Sequence, residues 1–565
     1  MKVLGIRYGH SGGAALIIDG EIVANVMEER FTRIKNDGSF PENAIRFCLK
    51  QGGISSEELD VIALPNKELP NEIISFFPRV EYSIHYADPS RKKVFEKKNI
   101  SDYNSFYSNR LAVYIQTWKT KDSCEFWCID HHLGHAASAY YTSGLDEETL
   151  IFTLDGIGDK VSGTISIGKN GKINRFKTFD ESASLGWFYS VVTEALDWRH
   201  GTDEWKVMGL APYASPKIGI LDSFHPEFYD GELKKGFKFG DVYRWPDHGT
   251  NHYHFKAALD VKKIVEREGR ELVAAEAQRI IEEQLFNIVL PQIKKTGIKK
   301  CCFAGGLFLN VKANQQLWYS GELDEQWVYP DPGDSGLPVG VALYAYHSKT
   351  GNPSKRLKVL YHGPEFSNDQ VKEVLDDRGI DYEFHENIEA VTASYLEKNY
   401  IIGWFQGKME AGPRALGNRS ILMSPTQPDN KDIINEKVKF RESFRPFCPS
   451  MLEEVASKYL INPRSEYFMI SSFAVKEGVE KEIPAVVHVD NTARPQFVTA
   501  ERNERYYKLI QEFGKRSGHS VLLNTSFNVK GEPIVCNPRE AIRCFYDTGL
   551  DVLVIGNYLI KKKNV

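Results

Sequence analysis

Residues 151-IFTLDGIGDKVSGTISIGKNGKINRFKTF-179 decide the fold of this chain. They read as a buried strand, a glycine-rich bend, a second strand, a tight turn at Asn170-Gly171 and a third strand. The N-terminus repeats this order between residues 3 and 27, with a bend at 8-YGHSGG-13 and a turn at Asp19-Gly20. We therefore predict two copies of one α/β unit, facing each other across a cleft where phosphates can meet the glycine bends.

The duplicated domain continues with a long helix and a strand before a second domain begins. The helical periodicity of 271–297 predicts the helix, 301–304 is the buried strand, and Gly305-Gly306 then lets the backbone approach a ligand. The polar segment 347–358 contains Gly, Pro and Ser, which indicates the domain boundary. The predicted domains are 1–350, with lobes at about 1–145 and 146–350, and 351–565. Four strands are predicted in the second domain, at 382–385, 400–405, 520–527 and 551–556, and they indicate a mixed or twisted α/β sheet.

The composition narrows the class of protein. The 565 residues are 42% apolar and 26% charged, as in soluble globular proteins of several domains. A net charge of −5 gives no general basic field for nucleic acid, and the eight cysteines lack the spacing of a disulfide framework or zinc ribbon. The first residues do not resemble a signal peptide, and no apolar run could span a membrane. We expect a cytoplasmic enzyme without a membrane partner.

The stretch 131-HHLGH-135 predicts a metal site. On a helix, His131 and His135 would share one face, and two neutral imidazoles so placed can bind one ion. Asp155, in 154-LDG-156, and Asp334, in 333-GDSG-336, are the natural carboxylate ligands. A pair of structural histidines is the alternative for this spacing alone.

Cationic side chains are concentrated in loop-like parts of the second domain. Arginine can hold phosphate through two parallel hydrogen bonds, lysine adds a point charge, and neighbouring glycines allow backbone N–H groups to join. Salt bridges to nearby glutamates are the structural alternative. The stretches concerned are 406-QGKMEAGPRALGNRS-420, 435-NEKVKFRESFRPF-447, 488-HVDNTARPQ-496 and 524-NTSFNVKGEP-533. Lys439-Phe440-Arg441 and Ser526-Phe527-Asn528, in this order, resemble the nucleotide site of YrdC-like proteins, which adenylate a carbamate.

The whole chain resembles the O-carbamoyltransferases that modify nodulation factors, tobramycin and cephamycins. The stretches that carry the resemblance occur in one order along nearly the full length: 28-EERFTRIK-35, 131-HHLGHAASAYY-141, 204-EWKVMGLAPY-213, 304-AGGLFLN-310, 333-GDSG-336, 410-EAGPRALGNRS-420, 439-KFRESFRPFCPS-450, 488-HVDNTARPQ-496 and 524-NTSFNVKGEPIV-535. The resemblance implies a duplicated actin-like (RNase H-like) N-terminal domain and a YrdC-like α/β C-terminal domain.

The resemblance also implies the reaction. The C-terminal site would convert carbamoyl phosphate and ATP, with Mg²⁺ on the phosphates, into carbamoyl-adenylate. Arg414, Arg445 and Arg494 would hold carbamoyl phosphate. ATP would be held by Lys439, Arg441, His488, Ser526 and Asn528, with Lys530 at the developing pyrophosphate. A closed passage would protect the adenylate from water on its way to the N-terminal domain.

In the N-terminal domain the carbamoyl group would pass to an acceptor hydroxyl. The four ligands would bind a divalent metal, iron by similarity, which acts as a Lewis acid. The residues expected to hold the adenosine are Lys206, Gly209, Gly305, Gly306 and Asn310. His10 and Lys35 are the candidates for acceptor activation or carbonyl stabilisation.

Two other functions fit part of the sequence. An actin-like sugar kinase or ATPase would explain the duplicated lobes but not the second domain, and a tRNA threonylcarbamoylation-type enzyme uses similar domains. For the carbamoyltransferase, the segments 65–106 and 214–245, rich in aromatics and lysine, are expected to select the acceptor. A sugar or natural product is preferred, and a hydroxymethylated nucleobase in DNA is the alternative. Homodimerisation is left open.

Overall fold

The computed structural model describes residues 1–66, 79–85, 92–96, 119–239, 242–247 and 250–563. The strands are, in chain order, β1 (Lys2–Arg7), β2 (Gly13–Ile18), β3 (Glu21–Met27), β4 (Val61–Leu64), β5 (Arg79–His85), β6 (Lys92–Glu96), β7 (Glu125–Ile129), β8 (Thr149–Gly158), β9 (Val161–Lys169), β10 (Lys172–Asp180), β11 (Glu227–Tyr229), β12 (Glu232–Lys235), β13 (Val242–Asp247), β14 (Thr250–Phe255), β15 (Lys300–Ala304), β16 (Glu325–Val328), β17 (Glu383–Phe384), β18 (Ile402–Phe405), β19 (Arg419–Met423), β20 (Cys448–Leu452), β21 (Phe473–Ala474), β22 (Thr492–Ala493), β23 (Gln496–Val498), β24 (Val521–Ser526), β25 (Val552–Ile555) and β26 (Tyr558–Lys561).

The α-helices of the described residues are α1 (Glu29–Thr32), α2 (Glu42–Gly52), α3 (His131–Ser143), α4 (Leu185–Ala195), α5 (Glu204–Leu210), α6 (Lys256–Glu268), α7 (Arg270–Thr296), α8 (Val311–Tyr319), α9 (Leu337–Thr350), α10 (Asn368–Asp377), α11 (Ile388–Glu397), α12 (Asn430–Ile434), α13 (Ala456–Tyr459), α14 (Val479–Glu482), α15 (Glu504–Ser517) and α16 (Pro538–Asp547). None of them has the length and apolar run that crossing a bilayer requires.

The two lobes share the same five-stranded core, which β5 and β6 extend beyond β7 in the first lobe. In the first lobe, β1 pairs antiparallel with β2 and β2 with β3, while β4 and then β7 add in parallel on the other side. In the second lobe, β8, β9 and β10 make the same antiparallel run, and β15 and β16 add in parallel. This shared strand order is the RNase H-like topology, and two copies form an actin-like domain. The predicted duplication is confirmed.

Turns and helix ends follow the sequence signals in both lobes. Asp19-Gly20 and Asn170-Gly171 have φ between 49° and 87°, as a two-residue hairpin turn of this kind requires. The long predicted helix runs as α7 and ends at Gly297, which caps it with φ 72°. The helices α3 and α9 pack against each other between the sheets, so they form the middle of the domain.

The C-terminal domain is built on a mixed sheet of eight strands in the order β17-β26-β25-β18-β19-β24-β20-β23. Apolar residues of α10 and α16 cover one face of this sheet, and those of α11 and α15 cover the other. The four strands predicted from sequence are present, which confirms an α/β domain. Its likeness to YrdC stays a prediction.

The two domains share an apolar core. Leu360, Leu416 and Cys448 belong to the same buried cluster as residues of α3 and α9. The segment after α9 also remains on the N-terminal domain, since the Leu357 N–H donates to the carbonyl of Thr142 at 2.9 Å. The boundary predicted at 347–358 stays a prediction, but the docking of the domains brings their loops together.

Candidate functional site

The four predicted metal ligands converge where the lobes meet. His131 and His135 lie one turn apart on α3, and Asp155 lies where the β8–β9 ladder is interrupted. Nε2 of His131 is 3.1 Å from Nε2 of His135 and 3.2 Å from Oδ2 of Asp155. With Asp334, which opens a 3-10 turn before α9, the four side chains offer ligand atoms within 4.8 Å of one another.

Neighbouring groups orient the two carboxylates. The backbone N–H of Gly306 donates to Oδ1 of Asp155 at 2.9 Å, and Arg7 Nη2 donates to Oδ2 of Asp334 at 2.8 Å. Gly305 makes the first contact feasible, because it has φ 101° and an added Cβ would lie 2.2 Å from the carbonyl oxygen of Leu154. One oxygen of each aspartate therefore remains free to face the histidines.

The electrostatics of this cluster suit a cation. Burial favours the neutral acids, but Arg7 and the imidazoles hold the pKa of Asp334 below its usual value, and His131 and His135 do the same for Asp155. Burial opposes charge on His135 as well, yet the two aspartates raise its pKa to about 9. Two nitrogen and two oxygen donors fit a divalent first-row metal ion and do not select among them.

His10 faces the same cluster across the cleft. Burial lowers its pKa, and the charges that act on it belong to Arg7, Arg199 and the two ligand aspartates. Its ring also lies against lobe 2, because a Cβ added to Gly201 would be 3.5 Å from its Cε1. A neutral imidazole at this position can accept a proton from a bound hydroxyl.

Lys35 lies among different neighbours from His10. Burial lowers its pKa, and the nearby charges include Glu29, Asp203 and Arg445. Arg445 belongs to the C-terminal domain, so Lys35 lies at the domain junction. The structure therefore does not place Lys35 and His10 among the same charged groups, although both were predicted for the transfer step.

Two of the residues predicted to hold adenosine also lie at the domain junction. Lys206 Nζ is 3.0 Å from Asp203 and 3.7 Å from Glu442 of the C-terminal domain, and it lies over the rings of Trp198 and Trp205. The carbonyl of Gly209 is 3.1 Å from Nε2 of His488. His488, predicted for ATP, therefore bonds to the N-terminal domain.

Of the other three residues predicted to hold adenosine, two contact a predicted metal ligand or its strand, and the third caps a helix. Gly305 and Gly306 contact Asp155 and its strand. Asn310 caps α8 by accepting from the N–H of Ala313 at 3.0 Å, and its amide donates to Gln278 at 2.9 Å. The predicted adenosine set is thus divided between the lobe cleft and the domain junction.

The KxR and SxN motifs meet in the C-terminal domain. The buried Lys439 ammonium donates to Oδ1 of Asn528 at 2.8 Å, to its carbonyl at 3.0 Å, and to the carbonyl of Ser526. The Ser526 hydroxyl donates to Oδ1 of Asn528 at 2.7 Å. Lys439 ends a π-helical turn at Asn435–Lys439, and Phe440 follows it with φ 47°. Among the described residues, all hydrogen-bond partners of this ammonium are neutral oxygens, and none of them balances its charge.

Three predicted arginines surround the buried thiol of Cys448. Arg494 donates to the sulfur from Nε at 3.1 Å and Nη2 at 2.8 Å. Burial, together with the nearby charge of Arg494, lowers the pKa of Arg414 to about 9, and burial together with Arg445 lowers that of Arg441 to about 9. Arg441 also stacks over Phe447 at 4.3 Å. These cations repel one another, and an arrangement of this kind is suited to a polyanion.

Arg445 and Lys530 differ from these three. Arg445 is paired with Glu442 at 3.2 Å and lies 3.8 Å over the ring of Trp205, which joins it to the N-terminal domain. Lys530 is exposed in the loop that follows Asn528. The segment expected to select the acceptor at 65–106 lies largely outside the described residues, as does part of 214–245.

Several residues of these sites were missed from the sequence. Arg7 ends β1 three residues before His10, a position that could have indicated a role at the bend. Cys448 and Asp331 carried no local signal, because an apolar stretch and a proline-rich turn surround them. Only tertiary contacts reveal them.

Asp331 connects the surroundings of the two sites. It is buried, Ser335 donates to its Oδ1 at 2.5 Å, and its Oδ2 has no hydrogen-bond partner among the described residues. Burial raises its pKa to about 6 despite the nearby charges of Arg30 and His135. Gly412 of the C-terminal domain packs against it, since an added Cβ would lie 3.2 Å from the Asp331 Cβ. The loops of the two sites are therefore in direct contact.

A duplicated actin-like domain with four converging His and Asp side chains, docked on an α/β domain with a cluster of buried cations, is the arrangement of a two-domain enzyme. Two family models match its halves: the carbamoyltransferase N-terminus over residues 2–343 and the carbamoyltransferase C-terminus over residues 393–562. The chain belongs to the carbamoyltransferase family and is a transferase.

Relatives agree over most of the chain. Nodulation protein NolNO of Sinorhizobium fredii is 35% identical, with 98% of this chain and 79% of the relative covered. Nodulation protein NolO of Bradyrhizobium diazoefficiens is 38% identical, with 77% of this chain and 79% of the relative covered. Among solved structures, full-length HypF matches 62% of this chain and 56% of its own at 13% identity and a TM-score of 0.35, too low to bear on the fold.

Proposed function

We propose that the protein is an ATP-dependent O-carbamoyltransferase with two chemical steps. In the C-terminal domain, carbamoyl phosphate, ATP and one water give carbamoyl-adenylate, phosphate and pyrophosphate. In the N-terminal domain, an acceptor hydroxyl takes the carbamoyl group, AMP leaves, and one proton is released. AMP is a far better leaving group than an alkoxide, so the second step runs towards the carbamate ester.

One observation carries the first step. Four cations that converge on the C-terminal pocket have no carboxylate within 4 Å among the described residues: Lys439, Arg414, Arg441 and Arg494. Burial lowers the pKa of three of them, so holding them together without an anion is unfavourable. Carbamoyl phosphate and the ATP triphosphate, with Mg²⁺, would supply the missing charge.

Shielding of the adenylate is supported by the docking of the two domains. Arg30 Nη2 donates to the carbonyl of Gly412 at 2.8 Å, and Gly412 packs on Asp331, whose carboxyl is near enough to His135 and to Arg414 for their charges to interact. A route along this contact would keep the mixed anhydride away from bulk water.

The lobe cleft is suited to the transfer step. His131, His135, Asp155 and Asp334 would hold a divalent ion, which supplies a Lewis acid for the carbamoyl oxygen or the adenylate phosphate. His10, kept neutral by burial, takes the proton of the acceptor hydroxyl. Gly306 fixes Asp155 through its N–H, so that the ligand set keeps its geometry.

The acceptor is proposed to be a sugar or a small natural product. The net charge of −5, which gives no general basic field for nucleic acid, supports a small-molecule acceptor over a nucleobase in DNA. A mass-spectrometric screen of alcohols, including sugars, aminoglycosides and hydroxymethylated nucleosides, would detect the gain of one carbamoyl group.

The nucleotide product tests the mechanism. Purified protein with ATP, Mg²⁺ and carbamoyl phosphate should release pyrophosphate and, once an acceptor is present, AMP. Release of ADP would instead indicate an actin-like kinase or ATPase, and would refute the adenylate.

A further inference from the structure

We propose that Arg33, in the N-terminal domain, positions the loop of the C-terminal domain that carries Asn528 and Lys530. The adenylation site is then complete only when the two domains are docked. This inference rests on the proposed adenylation and adds to it a residue from the opposite domain.

Arg33 binds the backbone of that loop at two successive carbonyls. Its Nη2 donates to the carbonyl of Pro533 at 2.7 Å, and its Nη1 donates to that of Ile534 at 2.8 Å. Nη1 also lies 3.1 Å from Oε2 of Glu540, which itself accepts from the N–H of Cys536 at 2.7 Å. The planar fork of a guanidinium matches two neighbouring acceptors in a way that a lysine ammonium cannot.

The other end of the same loop is tied to the nucleotide motif. The amide of Asn528 donates to the carbonyl of Glu532 at 2.7 Å, and the N–H of Val535 donates to the carbonyl of Phe527 at 2.9 Å. Asn528 in turn accepts from Lys439 at 2.8 Å. Residues 527–535 thus form a short closed loop, with Lys439 holding its start and Arg33 holding its end.

The segment around Arg33 is anchored on both sides. Phe31 packs in a small apolar cluster with Met409, Ile534 and Cys536 of the C-terminal domain. Arg33 itself caps α1 with φ 63°, and its N–H donates to the carbonyl of Glu29 at 3.0 Å. The helix end therefore fixes the backbone from which the Arg33 side chain reaches the C-terminal domain.

Lys530 gives this anchoring a functional consequence. It is exposed, and in the described residues no ion pair fixes it, so its place depends on the backbone of the loop. Loss of the Arg33 contacts should let the loop move and should weaken ATP binding before it affects folding. Arg33 is accordingly a positioning residue, since it acts through the loop.

Steady-state pyrophosphate release by the full chain tests the role. Arg33→Ala should raise the KM for ATP by roughly ten- to a hundredfold, the effect of losing charge-assisted hydrogen bonds. Arg33→Lys should recover part of this loss, because one ammonium can still serve one carbonyl. Arg543→Ala is the matched control: Arg543 is half-exposed, pairs with the Glu532 side chain of the same loop and donates to no carbonyl there. Its KM should stay within twofold of wild type. An unchanged KM in Arg33→Ala overturns the proposal.

Hydrogen exchange separates this inference from the proposed reaction. Amides of 527–535 should exchange faster in Arg33→Ala and Arg33→Lys than in wild type, with α15 as an unaffected reference. If wild type releases no pyrophosphate, the adenylation proposal fails while the exchange still decides the role of Arg33. Unchanged protection of the loop in both variants refutes the positioning role, whichever reaction the enzyme performs.

Discussion

Replacing Arg441 with alanine should separate the activity of this enzyme from its stability. Arg441 stacks over Phe447, donates from Nε to Oδ1 of Asn435 at 2.6 Å and from Nη2 to the carbonyl of Pro446 at 3.4 Å, which leaves Nη1 for a ligand. No carboxylate within 4 Å pairs with it among the described residues. The side chain therefore carries a charge that the protein leaves for the substrate to balance.

The size of the effect follows from those contacts. Losing one charge-assisted hydrogen bond to phosphate is worth about 1.5–3 kcal/mol, or roughly ten- to 150-fold in rate. If the contact strengthens as charge develops in the transition state, the loss reaches about a thousandfold. Arg441→Lys should fall in between, because it keeps the charge without the fork.

The free energy of unfolding of Arg441→Ala should not fall with its activity. Burial, with Arg445 and Arg494, lowers the folded pKa of Arg441 to about 9, below its usual value. The charged form of Arg441 therefore destabilises the folded state at every pH below about 9. This destabilisation fades as the pH rises from there towards the ordinary pKa of arginine. Removing the charge at pH 7 should leave the unfolding free energy unchanged or raise it by about 1 kcal/mol.

The assay is the initial rate of pyrophosphate release against ATP concentration, with thermal unfolding followed by circular dichroism. Arg516→Ala is the control, because this surface arginine of the same domain pairs with Glu397 at 3.3 Å. Full activity of Arg441→Ala would refute the cationic-pocket assignment. A large drop in Tm together with the lost activity would show that Arg441 is structural.

Three further results are expected. His135→Ala should spare pyrophosphate release but reduce carbamoyl transfer at least a hundredfold, measured by product mass; loss of both half-reactions in a folded protein would contradict two separate sites. Because burial lowers the pKa of His10 below its usual 6.5, the rate of transfer should persist as the pH falls through 6.5 and decline only at lower pH. A pH–rate profile whose acid limb is centred above 6.5 would contradict this, and His10→Asn should remove that acid limb. Elemental analysis should find about one tightly held divalent ion per chain, reduced in His131→Ala, and a metal-free active protein would remove the ligand assignment.

Much of the fold could be predicted because its signals are local. Asp19-Gly20 and Asn170-Gly171 adopt the positive φ that their turns need, and the apolar runs near them form the paired strands. The spacing of His131 and His135 is likewise a property of one helix. Domain boundaries and partner residues are not local, and the sequence was less informative there.

The neighbours of several site residues could not be predicted from their own segments of sequence. Asn310 matched a stretch expected to contact adenosine, yet its amide caps α8 and bonds Gln278. Lys35 was grouped with His10, but the docking of the domains places it near Arg445. The contacts of these side chains depend on which loops come together in the folded protein, and no single segment of the sequence determines that packing.

The amino-acid sequence alone determined the duplicated α/β lobes, the helical histidine pair and the family, since backbone preference and side-chain spacing act over a few residues. Tertiary structure alone decided how closely the four predicted ligands approach one another, that Cys448 lies among three arginines, and that Arg33 reaches into the opposite domain. The physical reason is that burial and charge compensation depend on neighbours hundreds of residues away, which become neighbours only when the two domains pack together.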